Sequence, residues 1–190
     1  RLQLETGGLV RGMVYVNPLN PEDLAMARDF IEGRGFAGIG ELYRACKPWR
    51  REAARFFELA EQLDVPVLVH TAHRLYPRDR PSEATPDDVA RVARAFPRVR
   101  VIMAHVPGGG DWEYALEVAR RHPNVYVDLG GSVPEAGLVE RAVELLGPRR
   151  VLFATDCLFA ESIARVESAA VPEGVKRAIY YENAERVFGG

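Results

Sequence analysis

The sequence predicts an α/β domain of the (β/α)8 TIM-barrel type, with about six βα units present and the first two missing. Three observations carry this prediction. Strand-like runs alternate with helical patterns along the whole chain, joined by short connections. The strand-like runs are continuously apolar rather than alternating, as parallel strands covered on both faces require. Five of them also end in a metal-capable or acid/base side chain, namely Glu41, His70, His105, Asp128 and Asp156, spaced 29, 35, 23 and 28 residues apart. Each interval holds one strand, one helix and two loops. In a parallel barrel these ends share one rim, so side chains far apart in sequence converge.

Residues 11–17 read as the first strand, ended by Asn17-Pro18. Pro21-Glu22-Asp23 opens a helix to about Glu32, with proline in the first turn and acids near the positive end of the dipole. Gly33 and Gly35 stop it, and Phe36 to Leu42 form the second strand. Residues 49–63 repeat apolar side chains at helical spacing (Ala53, Phe56, Phe57, Leu59, Ala60, Leu63), and the strand at 65–70 follows. A polar loop runs from Thr71 to Thr85. Thr85-Pro86-Asp87-Asp88 then starts a helix, with threonine as N-cap, proline first and aspartate third. Pro97 ends that helix, and strand 99–105 leads into Gly108-Gly109-Gly110. A helix over 112–121, a strand over 124–129, a helix over about 134–146 and a strand over 150–156 complete the alternation, with a last helix over about 173–187.

One domain over residues 1–190 is expected, since no linker, low-complexity tract or long charge run divides the chain. A closed barrel has eight units and usually about 250 residues, so the shortfall is placed before residue 11. The chain begins with Arg1 rather than Met, which fits an upstream segment. The net charge of −2 gives no electrostatic footprint for nucleic acid or anionic membrane. No apolar run is long enough for a membrane span, and no signal peptide is visible. Two cysteines, Cys46 and Cys157, make no disulfide framework, so a reducing cytoplasm is the expected location.

His70 and His105 close apolar strands one βα unit apart, where a histidine is better placed as a ligand than as a packing residue. His73 lies just past the strand and suits a substrate or loop contact. The glycines after His105 allow a sharp turn, and no lysine or hydroxyl residue follows at phosphate-loop spacing. Asp156 ends the last strand, where a carboxylate can ligate a divalent metal and accept a proton from water, or else simply cap the following loop. Glu41 is either a bridging carboxylate or a solvated acid. Asp128 reads as a loop organiser rather than a ligand. Cys157 is expected to point away from the barrel interior as a buried thiol, and His122, at a helix end, to lie on the surface. No Gly-Xaa-Ser-Xaa-Gly is present, which removes the simplest serine-hydrolase reading.

The segments Val67-Leu68-Val69-His70, Ile102-Met103-Ala104-His105, Ala154-Thr155-Asp156 and Asn183-Ala184-Glu185-Arg186-Val187-Phe188-Gly189 resemble the amidohydrolase superfamily, nearest its amidohydrolase-related (type 2) and TatD-like branches. Gly38-Ile39-Gly40-Glu41-Leu42 looks like the strand-4 segment of members with a binuclear site. The resemblance covers nearly the whole chain, as barrel strands 3–8. It implies one or two divalent metal ions, zinc first, with His70, His105, Asp156 and Glu41 as ligands and Asp156 and His105 as catalytic groups. It also implies a His-Xaa-His pair on strand 1, which has no counterpart among the four histidines.

The function expected on this basis is hydrolysis of a C–N, C–O or ester-like bond by metal-activated water. The alternatives are metal-dependent decarboxylation within the same superfamily and a non-catalytic barrel remnant. A small-molecule substrate is expected; Arg44, Lys47, Arg50, Arg51, Arg74, Arg78 and Arg80 near the active rim either favour an anion or are ordinary surface cations in an arginine-rich chain. No nucleic-acid or membrane partner is expected, and a homo-oligomer is left open.

Overall fold

Short runs of valine and isoleucine pair side by side in strict chain order. In the computed structural model, which describes residues 2–72, 81–106, 111–131 and 135–189, six strands form one sheet: β1 (Met13–Val14), β2 (Gly38–Leu42), β3 (Val67–Val69), β4 (Val101–Met103), β5 (Val125–Asp128) and β6 (Val151–Leu152). Every neighbouring pair is parallel. This is the α/β architecture of a partial barrel that the alternating pattern predicts. His73, Arg74, Arg78, Arg80 and the three glycines from Gly108 lie outside the described residues.

Helices cross between the strands. A short α1 (Leu2–Glu5) precedes β1; α2 (Asp23–Arg28) continues as a π-helical turn to Gly33. Then come α3 (Arg51–Leu63), α4 (Pro86–Ala95), α5 (Trp112–Arg120), α6 (Leu138–Leu146) and α7 (Phe159–Glu167). The chain ends with α8 (Glu173–Arg177), a π-helical stretch over Ala178–Glu182, and α9 (Asn183–Phe188). The start of α4 is the expected capping box: Thr85 Oγ1 accepts from Asp88 N, and Asp88 Oδ2 accepts from Thr85 N at 3.0 Å. Two details differ from the sequence reading. Helix α6 begins at Leu138, after Gly137 at φ 81°, and α7 was not foreseen. Phe159, Ile163 and Val166 of α7 share one helix face, yet only Ser162 and Val166 are buried, while Phe159 is 66% and Ile163 45% exposed.

Side chains alternate across each strand, and the two faces pack differently. Val67, Val69, Val101, Met103, Val125, Val127 and Val151 join the main core with Phe56, Phe57, Val89, Leu116 and Leu138 from the helices. The alternate positions Leu68, Ile102, Tyr126 and Leu152 pack instead with Val187 and Phe188 of α9. The C-terminal segment also reaches both sheet edges. Phe153 N donates to Ile179 O at 3.0 Å beside β6, and Arg11 Nη1 donates to the carbonyls of Phe188 and Gly189 just before β1.

A repeated device anchors the rim opposite the polar strand ends. Helix C-termini leave carbonyls without intrahelical partners, and a side chain from the next unit takes them. Arg100 bonds Asp64 after α3, and Asn124 Nδ2 donates to Ala93, Phe96 and Val99 carbonyls after α4. Arg150 Nη1 reaches Ala119, His122 and Val125 carbonyls after α5, and Asn183 Nδ2 reaches those of Pro148 and Val151. With one rim fixed this way, the other is left to carry chemistry. Among the described residues no helix is long and apolar enough to cross a membrane.

Candidate metal centre

The polar strand ends meet at one rim. Glu41 is the fourth residue of β2, His70 follows β3 directly, and His105 follows β4 by two residues. Glu41 Oε1 lies 2.8 Å from His70 Nδ1 and 3.2 Å from His105 Nε2. The two rings are edge to face with centroids 5.2 Å apart. One ligand atom from each of the three residues lies within 4.8 Å of the others, a spacing that could hold a metal ion. All three are half-buried.

Asp156 stands apart from this trio. Its Oδ2 is 4.0 Å from His105 Nδ1 and its side chain is 58% exposed. It still lines the same open cavity of about 370 Å³, together with Tyr15, Glu41, Tyr43, His70 and His105. Asp156 and Cys157 both adopt left-handed backbone (φ 44° and 69°), and the turn leaves Cys157 exposed rather than buried as expected from sequence. His122 is half-exposed, near the expected surface position.

Asp128 organises the rim. Its Oδ1 accepts from His105 N and Gly130 N, each at 2.9 Å, which holds His105 in its own left-handed conformation (φ 69°). Burial raises the Asp128 carboxyl pKa, partly opposed by His105 and the two backbone donors. This is the scaffolding position the sequence suggests for it.

Glu41 and His105 shift one another's pKa in opposite directions. Burial pushes the Glu41 carboxyl up, but hydrogen bonds and charge from His105 and His70 outweigh it and bring it down to about 2. At His105, burial favours the neutral ring, yet the Glu41 hydrogen bond and the charges of Asp128, Glu41 and Asp156 raise its pKa. Three carboxylates around one imidazole make a field that favours positive charge. Two imidazoles and a carboxylate are also a donor set common to zinc and manganese sites. The residues therefore fit a divalent cation on both counts.

Sequence reasoning missed Tyr15, Tyr43 and Glu83. Aromatics at strand ends resemble core residues in a sequence, and nothing in the Thr71–Thr85 loop singles out Glu83. The arginine-rich rim also resolves differently. Arg44 pairs with Glu83, Lys47 with Asp88 and Arg50 with Glu52, and none of these cations lines the cavity.

A family model described as Amidohydrolase matches residues 3–190. The chain belongs to the amidohydrolase family. No curated protein matches it significantly by sequence. Among solved structures it resembles 5-carboxyvanillate decarboxylase from Sphingomonas paucimobilis at TM-score 0.73 and 16% identity, covering 99% of this chain and 69% of that one. It also resembles 2,6-dihydroxybenzoate decarboxylase from Rhizobium (TM-score 0.69, 18% identity, 99% and 73% covered). A third is dihydroxybenzoic acid decarboxylase from Polaromonas sp. JS666, with bound manganese and the inhibitor 2-nitroresorcinol (TM-score 0.70, 16% identity, 98% and 71% covered). At these identities the likeness is one of fold, and the amidohydrolase fold is what it establishes for this chain.

Proposed function

We propose that residues 1–190 form one metal-dependent domain that removes CO2, without oxidation, from a small aromatic carboxylic acid. The observation that carries this reading is the Glu41–His70–His105 donor trio, set in a cavity of about 370 Å³ that Tyr15 and Tyr43 also line. Decarboxylation is favoured over the hydrolysis expected from sequence because the solved structures of like fold reported above are decarboxylases. The manganese in one of them favours manganese over zinc.

Glu41, His70 and His105 would hold the cation. When bound, it supplies Lewis-acid charge that anchors and polarises an anionic substrate. The tyrosine rings of Tyr15 and Tyr43 offer apolar walls for an aromatic ring. Asp156, open to solvent at the rim, takes a proton from water and delivers it to the carbon that loses CO2. The C–C bond to the carboxylate breaks, its electron pair stays on the ring carbon, and that pair takes the proton. His105 belongs to the trio, and its Nδ1 faces Asp156 Oδ2 at 4.0 Å, which sets the proton donor beside the cation site.

The test is CO2 release from a panel of hydroxybenzoates by manganese-loaded protein in D2O. The expected result is one deuterium at the vacated carbon for each CO2 released. Cleavage of ester or amide substrates without CO2 release returns the site to hydrolysis.

A further inference from the structure

His70 has a carboxylate at each ring nitrogen. Glu41 Oε1 lies 2.8 Å from Nδ1, and Glu83 Oε1 lies 3.9 Å from Nε2. Glu83 is 2% exposed. The chain brings it there by returning alongside the end of β3, where Thr71 bridges Ala84 and Ala72 N donates to Ala84 O at 2.7 Å. Its carboxylate pairs with Arg44 Nε, and its own carbonyl accepts from Lys47 Nζ at 2.6 Å. Lys47 is held in turn by Asp88 at 2.7 Å. Arg44, at a left-handed φ of 54°, lies over the Tyr43 ring at 4.8 Å, and the Tyr43 ring meets the His70 ring edge-on at 4.4 Å. His70 is thus enclosed by Glu41, Tyr43, Glu83 and His105.

Burying a carboxylate costs several kcal/mol unless its partners compensate. The oxygen that Arg44 reaches is the same one that faces His70 Nε2. Metal-bound imidazoles as a rule donate their other ring N–H to a carboxylate or carbonyl, which fixes the tautomer and ring orientation.

We propose that Glu83, held by Arg44, is a positioning residue for the cation site, accepting the Nε2–H of His70 when a divalent cation occupies Nδ1. This rests on the metal-centre reading above. Without a cation, the 2.8 Å contact with Glu41 favours a ring proton on Nδ1. A cation at that nitrogen displaces the proton to solvent, and the neutral ring takes one from solvent at Nε2. Closing the 3.9 Å gap to hydrogen-bond length needs a movement of about 1 Å. The segment carrying Glu83 is fixed by Lys47 and the Ala72–Ala84 bond, so the carboxylate stays in place for the ring to meet.

The experiment is calorimetric titration of Mn2+ into the metal-free wild type and Glu83→Gln, with 15N-histidine NMR of the zinc-loaded wild type. Glu83→Gln should bind Mn2+ about 10- to 100-fold more weakly, and His70 should appear as the Nε2-protonated tautomer with a hydrogen-bonded proton. Affinity within about threefold of wild type overturns the proposal and leaves the metal centre standing. If Glu83→Gln does not fold, the wild-type spectrum decides: a His70 ring without a proton on Nε2 overturns it. A wild type that takes up no cation overturns this inference and the metal-centre reading together.

Discussion

Glu41 Oε1 lies 2.8 Å from His70 Nδ1, and the same oxygen lies 3.2 Å from His105 Nε2. A carboxylate oxygen only accepts, so each contact is a hydrogen bond when the facing ring nitrogen carries its proton. One carboxylate oxygen thereby joins strands β2, β3 and β4 at their functional ends. A cation would replace any proton in those contacts, using lone pairs the fold has already aimed at one point.

This arrangement predicts how the metal-free chain responds to pH. The Glu41 pKa is depressed from 4.5 to about 2, so its contribution is present above about 4.5 and lost as pH falls towards 2. The size is on the order of 3 kcal/mol at most. The His105 pKa is raised, so its contribution is complete below about 6.5 and lost as pH rises through the raised value. Urea midpoints of wild type and Glu41→Gln should converge between pH 6 and pH 3. A gap of constant size across that range would show that the trio does not stabilise the fold by charge.

Cation binding and proton delivery should separate by residue. His70→Ala should weaken Mn2+ binding on the order of 100-fold by removing a ligand. Asp156→Asn should keep the affinity within about tenfold but lower CO2 release by about 100- to 10,000-fold. The contrast follows from Asp156 being 58% exposed and outside the trio. Equal loss of cation in both variants would make Asp156 a ligand, as the sequence resemblance implies.

The periodic parts of this protein were legible in its sequence, and the parts that depend on contacts across the fold were not. Continuous apolar strands and the Thr85–Asp88 box fixed the parallel architecture and the α4 start, because local chemistry decides both. Strand-end position alone brought Glu41, His70 and His105 to one rim. Glu83 escaped notice because its burial depends on pairing with Arg44, 39 positions away in the chain. Helix α7 escaped although Phe159, Ile163 and Val166 recur at helical spacing, so that signal was present in the sequence and was overlooked. Cys157 was misplaced because two successive left-handed residues cannot be read from Asp-Cys.

The far rim can be tested without touching the site. Asn124 Nδ2 donates to three part-buried carbonyls at 3.1 Å each. Asn124→Ala should lower stability by about 2–3 kcal/mol, with Mn2+ affinity unchanged. Stability from urea denaturation and affinity from calorimetry measure the two effects independently. A parallel loss of affinity would mean that the two rims are coupled.

Gly131 offers a last test of how tightly the site is set. It adopts φ 75°, and a Cβ placed there would stand 3.3 Å from His105 Nδ1. Its carbonyl is held by Arg165 Nη2 at 3.1 Å, which resists a shift of Gly131 away from the ring. Gly131→Ala should therefore cost about 1–2 kcal/mol in backbone strain and also press on the His105 ring. Gly137 is the control, because it has a similar φ of 81° with nothing within 4 Å of its Cβ position. Gly137→Ala should cost a similar amount of stability and leave Mn2+ affinity as it is, whereas Gly131→Ala should lower affinity about tenfold. Equal affinities in the two variants would show that His105 has room to move and that its alignment with Glu41 is not set by this loop.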